Sequence, residues 1–246
     1  EISSHTLEQK RVDVLSLDYA IFTNLTEEHL DFHNSMDEYF NAKIKISNLL
    51  KPSGKFIVNI DDKFGEKIKG ENIITFGKNE SADYVISNVI ESVEGTKFKL
   101  THKNNTIDIS TNLLVEFNVY NLTAALITVE DMGYEINNVS KYLTNLIVEG
   151  RMELYRSDEF ANVILDFAHT PDSVGKITTF VNKIKGDGEM YVVCGSAGER
   201  DSTKRPLMGT NCSMYAKEVI LTEDDPRSES VKNINKDLKK GINTES

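Results

Sequence analysis

Apolar and polar residues alternate along this chain on two periods, and the places where the period changes mark its elements. Residues 12–25 hold an apolar stretch ending in Tyr19-Ala20-Ile21-Phe22, the pattern of a buried strand with a polar tip at Thr23 and Asn24. From Ser35 to Leu50 the apolar positions Met36, Tyr39, Phe40, Ile44, Ile46 and Leu49 recur at helical spacing. Ser35 and Glu38 stand at capping-box spacing, and Pro52-Ser53-Gly54 reads as the end of that helix. Residues 55–60 and 73–76 predict short strands, with Asp61-Asp62 placed to cap a helix between them.

The period then shortens. Residues 83–115 show repeated β-like runs with turn signals at Glu94-Gly95 and Asn104-Asn105, which predicts an antiparallel meander. Residues 118–132 and 136–146 return to helical spacing, and Gly150-Arg151 marks a boundary. Beyond it, strands over 163–167, 189–194 and 219–221 alternate with helices over 172–184, 206–215 and 231–240. That alternation predicts a second, Rossmann-like parallel sheet. The chain is therefore read as α/β throughout. Ligand sites in such sheets form at the carboxyl ends of strands, where the polar clusters of this chain lie.

Composition narrows the classes. The 246 residues suffice for one large domain or two ordinary ones. A formal net charge of −11 argues against nucleic acid and anionic membrane as partners. The sequence has no apolar run of membrane-spanning length and no signal peptide, so a cytoplasmic protein without membrane insertion is expected. Cys194 and Cys212 follow no metal or disulfide spacing, and Cys194, ending an apolar run, reads as a buried reduced thiol. The first residue is Glu1 rather than Met, so a fragment is expected.

Five clusters carry candidate chemistry. Glu1, Ser3, Ser4 and His5 form the first, and residues 26–33, which include His29, form the second; carboxylates and imidazoles suit a divalent cation. In isolation His29 reads as a loop-capping histidine and Lys43 as a solvated lysine on a mixed helix face. Asp166-Phe167-Ala168-His169 ends a strand and opens a helix, where Asp166 suits ribose hydroxyls and His169 a phosphate. The same stretch also reads as a plain helix start, with Thr170 or Asp172 as cap and Pro171 in the first turn. Residues 195–206 form a Gly-containing loop rich in cations, including Arg200, Lys204 and Arg205, suited to a carboxylate or phosphate. Asp224-Asp225-Pro226-Arg227 follows the next strand and by itself is also consistent with a turn.

Taken in order, the segments EISSHTLEQKRV, FTNLTEEHLDFH, MDEYFNAKIKI, FNVYNLTAAL, GRME, ILDFAHTPDS, CGSAGERDSTKRPLMG and TEDDPRSE resemble the Mur ligases, and most closely the branch that adds the third amino acid to UDP-MurNAc-L-Ala-D-Glu. The resemblance implies residues 1–149 as a P-loop-type central domain lacking its N-terminal part, and 150–246 as an incomplete Rossmann-like C-terminal domain. It implies an ATP-dependent amide ligase in which the substrate carboxylate is phosphorylated and the acyl phosphate is attacked by an amine.

Residue by residue, the resemblance places Glu1 and His29 on Mg²⁺, and Ser3 and His5 along the UDP-peptide site. Lys43 matches a lysine that is carbamylated in the family, giving an oxygen ligand for a second Mg²⁺. Asn121 and Arg151 match nucleotide contacts, Asp166 matches the ribose-binding acid, and His169 lies near the phosphates. Arg200, Asp225 and Arg227 match the region that selects the incoming amino acid. The implied partners are UDP-MurNAc-dipeptide and a diamino acid, acting on a monomer.

Three features depart from the family pattern. No Gly-x-x-Gly-Lys-[Ser/Thr] loop is present, so residues 1–246 alone are expected not to turn over ATP. The chain also stops before a full third domain. The specificity turn is Asp-Asp-Pro-Arg, where diaminopimelate enzymes usually carry Asn at the second position and lysine enzymes usually lack the Arg. Arg227 favours diaminopimelate, whose second carboxylate needs a cation. The competing readings are a folylpolyglutamate- or cyanophycin-type ligase, and a non-catalytic nucleotide- or peptide-binding module.

Overall fold

The computed structural model describes residues 1–26 and 32–242, arranged as two compact units, Glu1–Ile147 and Val148–Ser246. Among the described residues, no helix is long and apolar enough to cross a membrane.

The first unit is built on a six-stranded mixed sheet in the order β1 (Leu17–Phe22), β2 (Leu50–Asn59), β3 (Ile73–Gly77), β4 (Tyr84–Ser92), β5 (Gly95–His102), β6 (Asn105–Thr111). Strands β1 to β4 pair in parallel, and β4, β5 and β6 form the antiparallel meander. The period-two rule of a strand divides β2 between two cores. Phe56 and Val58 join Ala20, Phe22, Tyr39 and Phe64 on one side, whereas Ile57 joins Phe76, Ile86, Phe98 and Leu100 on the other. Helix α2 (Met36–Ile44) contributes Tyr39 to the first core. Helix α3 (Glu116–Asp131) covers the second with Val119, Leu122, Leu126 and Ile127, a stripe at helical spacing. Helix α1 (Ser4–Glu8) precedes β1, and α4 (Ile136–Ser140) follows α3.

Several boundaries differ from the sequence pattern. The helix expected from Ser35 to Leu50 stops at Ile44 and continues only as a 3-10 turn, Lys45–Leu49. Pro52-Ser53-Gly54 then lies inside β2, where the register jumps between Leu17↔Leu50 and Tyr19↔Lys55. A bulge of this kind is one of the few strand positions that tolerate proline. The capping box is half-formed: Ser35 Oγ accepts from Glu38 N at 3.1 Å, but Glu38 Oε2 accepts from Asn34 N rather than from the Ser35 amide. Asp62 caps only a 3-10 turn, Gly65–Lys67, accepting from Phe64 N and Gly65 N. The helix expected over 136–146 breaks into α4 and a 3-10 turn, Leu143–Asn145.

In the second unit β7 (Glu153–Tyr155) and β8 (Val163–Leu165) form an antiparallel hairpin. Strands β9 (Tyr191–Cys194) and β10 (Glu218–Leu221) pair in parallel, connected through α6 (Arg205–Ser213). Helices α5 (Pro171–Ile184), α6 and α7 (Val231–Lys239) supply Val174, Met208, Cys212, Ile234 and Leu238 to a core that also takes Val192, Cys194, Val219 and Leu221. The alternate strand residues face outward: Tyr191 is 52% exposed, Val193 64% and Ile220 46%. Within the core, the Cys212 and Cys194 Sγ atoms lie 3.3 Å apart as free thiols. Cys194 is half-buried and Cys212 fully buried, so the two thiols meet in space despite having no disulfide spacing in sequence.

Candidate functional site

In the first unit the amino-terminal cluster closes onto α2 through aromatic and imidazole packing. Ser3 caps α1, accepting from Thr6 N at 3.2 Å. The His5 ring lies 4.0 Å from Phe32, and His33 stacks on Tyr39 at 5.0 Å. His33 is buried and its Nε2 lies 2.9 Å from Ser4 Oγ, which ties α1 to the start of α2. One turn further along α2, Lys43 Nζ sits 5.9 Å from the centroid of the Tyr39 ring. Three positions distant in sequence, His5, His33 and Lys43, therefore share one neighbourhood. Sequence reasoning gave His33 no role of its own; its only signal was its place next to the Asn34-Ser35 helix start. Glu1 is exposed, and His29 lies outside the described residues.

Asn121 stands apart on the exposed side of α3, donating from Nδ2 to Asn118 Oδ1 at 3.3 Å. Among the described residues, no group of three His, Cys, Asp or Glu side chains converges as a metal site.

In the second unit, Gly150 to Glu153 makes a tight turn against the end of β8. Gly150 adopts φ +65°, and a Cβ there would meet the Phe167 ring at 2.1 Å, so glycine is required. The Phe167 amide donates to Gly150 O at 2.9 Å, and the Arg151 guanidinium lies 5.5 Å from the Phe167 ring centroid. Asp166 holds the turn: its Oδ2 accepts from Met152 N and its Oδ1 from Ala168 N, both at 2.8 Å. Glu153 accepts from the Gly150 amide, which holds its carboxyl below the usual range; the Tyr155 hydroxyl adds to the effect. Both Asp166 oxygens keep a lone pair after these bonds, so the fixed carboxylate fits a pair of ribose hydroxyls. His169 Nδ1 lies 3.1 Å from Phe167 O, a bond that needs the proton on Nδ1. Thr170, not Asp172, caps α5, in a reciprocal box with Ser173, and Pro171 opens its first turn.

The loops after β9 and β10 pack together, which brings Arg200 into the same segment pair as Asp225 and Arg227. Gly198 N donates to Asp225 O at 3.0 Å. A Cβ on Gly198 would meet Pro226 O at 1.9 Å, and one on Gly195 would meet Asp224 Cβ at 2.6 Å. Asp225 and Arg227 both have positive φ, 41° and 52°, and Arg227 Nε lies 3.6 Å from Asp225 Oδ2. Asp is among the non-glycine residues that best tolerate this backbone region. Arg200 is exposed. Arg205, expected from the sequence as one cation of a ligand-binding loop, is instead buried and paired to Glu229.

These are α/β units with polar loops at their strand ends, and the chain belongs to the Mur ligase family. The Mur ligase middle domain matches residues 1–129, and the Mur ligase glutamate ligase domain matches residues 150–246. The chain is 37% identical over 246 residues to the UDP-N-acetylmuramoyl-L-alanyl-D-glutamate–2,6-diaminopimelate ligase of Caldanaerobacter subterraneus subsp. tengcongensis, covering 98% of this chain and 50% of that protein. It is 38% identical over 245 residues to the enzyme of the same name from Aquifex aeolicus, again covering 98% of this chain and 50% of that protein. A solved structure of UDP-N-acetylmuramoyl-L-alanyl-D-glutamate–2,6-diaminopimelate ligase matches with a TM-score of 0.66 at 32% identity, over 100% of this chain and 52% of that one. The chain thus spans about half the length of the curated relatives it matches.

Proposed function

We propose that this chain is part of an ATP-dependent ligase that joins diaminopimelate to UDP-MurNAc-L-Ala-D-Glu in the cytoplasm, as a step of peptidoglycan precursor synthesis. The observation that carries the reading is the meeting of the Arg200 loop with the Asp-Asp-Pro-Arg turn, in a chain 37% identical to a ligase of that name. Two arginines on loops that meet suit an amino acid with a second carboxylate, since arginine pairs with carboxylate by bidentate hydrogen bonds. Relatives named for diaminopimelate favour this reading over folylpolyglutamate or cyanophycin ligases and over a binding module.

In this reading Asp166 accepts the ribose hydroxyls of ATP. Arg151, held beside Phe167, and Asn121 contact the nucleotide, with His169 near its phosphates. Ser3 and His5 line the UDP-peptide site. Glu1, His29 and a carbamylated Lys43 are the proposed Mg²⁺ ligands; bound there, the metal would offset phosphate charge. The described residues hold no complete metal cluster, so no step is assigned to it. What the chain's own residues supply is orientation: the nucleotide on the Asp166 turn and the amine-bearing substrate on the Arg200 and Arg227 side.

The test is amino-acid-dependent phosphate release by the full-length protein with ATP and UDP-MurNAc-L-Ala-D-Glu. Meso-diaminopimelate is expected to support the highest rate, above its other isomers and lysine. Preference for lysine would refute the Arg227 assignment.

A further inference from the structure

We propose that Arg205 is a positioning residue for the amino-acid site: its buried guanidinium locks the loop after β9 to the turn after β10, and so fixes where Arg200, Asp225 and Arg227 stand. The inference rests on the proposed assignment of those three residues to the incoming amino acid.

Arg205 opens α6, and its side chain is only 1% exposed. Nη1 and Nη2 donate to Glu229 Oε1 and Oε2, each at 2.7 Å, in a bidentate pair. Nη1 also donates to Asp237 Oδ2 on α7 at 3.3 Å, and Nη2 to the Ala197 carbonyl at 3.2 Å. One planar group thus joins four segments: the loop after β9, α6, the turn after β10 and α7. Glu229 Oε2 in turn accepts from Glu199 N at 3.1 Å, and the Ser228 hydroxyl bonds the Glu199 carboxylate. Arg200 is therefore flanked on its amino-terminal side by a residue held to the opposite turn.

The same bonds exclude Arg205 as a substrate contact. A guanidinium has five N–H donors, and here the four on its two Nη atoms are directed at protein acceptors. The fifth, on Nε, is buried without a hydrogen-bond partner. Breaking a buried ion pair leaves an uncompensated charge, whereas a well-packed apolar substitute often stabilises as well as the intact pair. A cluster of this kind is therefore better explained by the geometry it imposes than by stability. Lysine cannot replace it, because a single ammonium cannot span the two Glu229 oxygens and Ala197 O in one plane.

The experiment uses the full-length protein and measures KM for meso-diaminopimelate, ATP and UDP-MurNAc-L-Ala-D-Glu, with kcat and Tm. Arg205→Lys is expected to raise KM for the diamino acid by about 10-fold to 100-fold, with KM for ATP and the UDP-peptide changed by less than about twofold. Gly198→Ala leaves the residues of the ion cluster unchanged but forces the two loops they join apart, since its Cβ would meet Pro226 O at 1.9 Å. It is expected to give the same split, and it carries the test if Arg205→Lys does not fold. An unchanged KM for the diamino acid, or an equal rise in all three, overturns the positioning role. A wild type that releases no phosphate with diaminopimelate overturns the functional reading first, and this inference with it.

Discussion

The two units pack the faces of their sheets differently. In the first, the sheet has packed cores on both sides, with Ile57 and Phe76 in one and Phe56 and Val58 in the other, all at most 3% exposed. In the second, the inner residues of β9 and β10 are packed while Tyr191, Val193 and Ile220 face outward and remain exposed. Its loops are held by a polar knot around Arg205 and by the Asp166 turn. Apolar packing fixes a framework through many small contacts, whereas a single buried guanidinium fixes a few atoms directionally and is vulnerable at each of them.

Three substitutions test this difference. Phe76→Ala is expected to cost the first unit about 3–5 kcal/mol, through lost burial and an unfilled cavity, measured by urea unfolding with hydrogen exchange to separate the units. Glu229→Gln should destabilise the second unit less. It should also alter the pH dependence, because the Arg205 guanidinium, followed by the Glu199 amide, holds the Glu229 carboxyl below the usual range. A depressed carboxyl contributes fully above its unfolded value of about 4.3 and loses that contribution as pH falls through the lower folded value. Melts between neutral and acid pH should therefore show a flatter acid limb in Glu229→Gln; an unchanged limb would show that another carboxyl controls it. Val193→Thr, on the outward side of β9, is expected to change stability by less than about 0.5 kcal/mol. If it costs as much as Phe76→Ala, the outward side is covered and the contrast between the sheets fails.

Elements set by local pattern are legible in the sequence. The meander, the Thr170-Pro171 helix start and the alternation of β9, α6 and β10 follow from turn residues and periodicity. Features set by distant partners are not. Helix α3 begins at Glu116 because Glu91 of β4 accepts its amide at 2.8 Å, a cap supplied from 25 residues away. The proline of residues 52–54 reads as a helix stop in the sequence because the bulge it occupies depends on pairing with β1. The candidate site divides in the same way. Motifs pointed to Arg200, Asp225 and Arg227, but the Arg205–Glu229 pair spans 24 residues and forms only once β9 and β10 lie side by side.

The thiol pair gives the molecule an internal reporter. Its two cysteines, Cys194 and Cys212, both belong to the second unit, so any alkylation of the chain reads that unit alone. The hydrogen bond from Cys212 holds the Cys194 thiol below its ordinary pKa, whereas the bond to Cys194, together with burial, pushes Cys212 up. Cys194, half-buried where Cys212 has no exposed surface, is the thiol that a maleimide is expected to label in the native protein. Labelling of Cys212, with no exposed surface, waits on opening of the core, and its rate clocks that opening while the first unit stays silent.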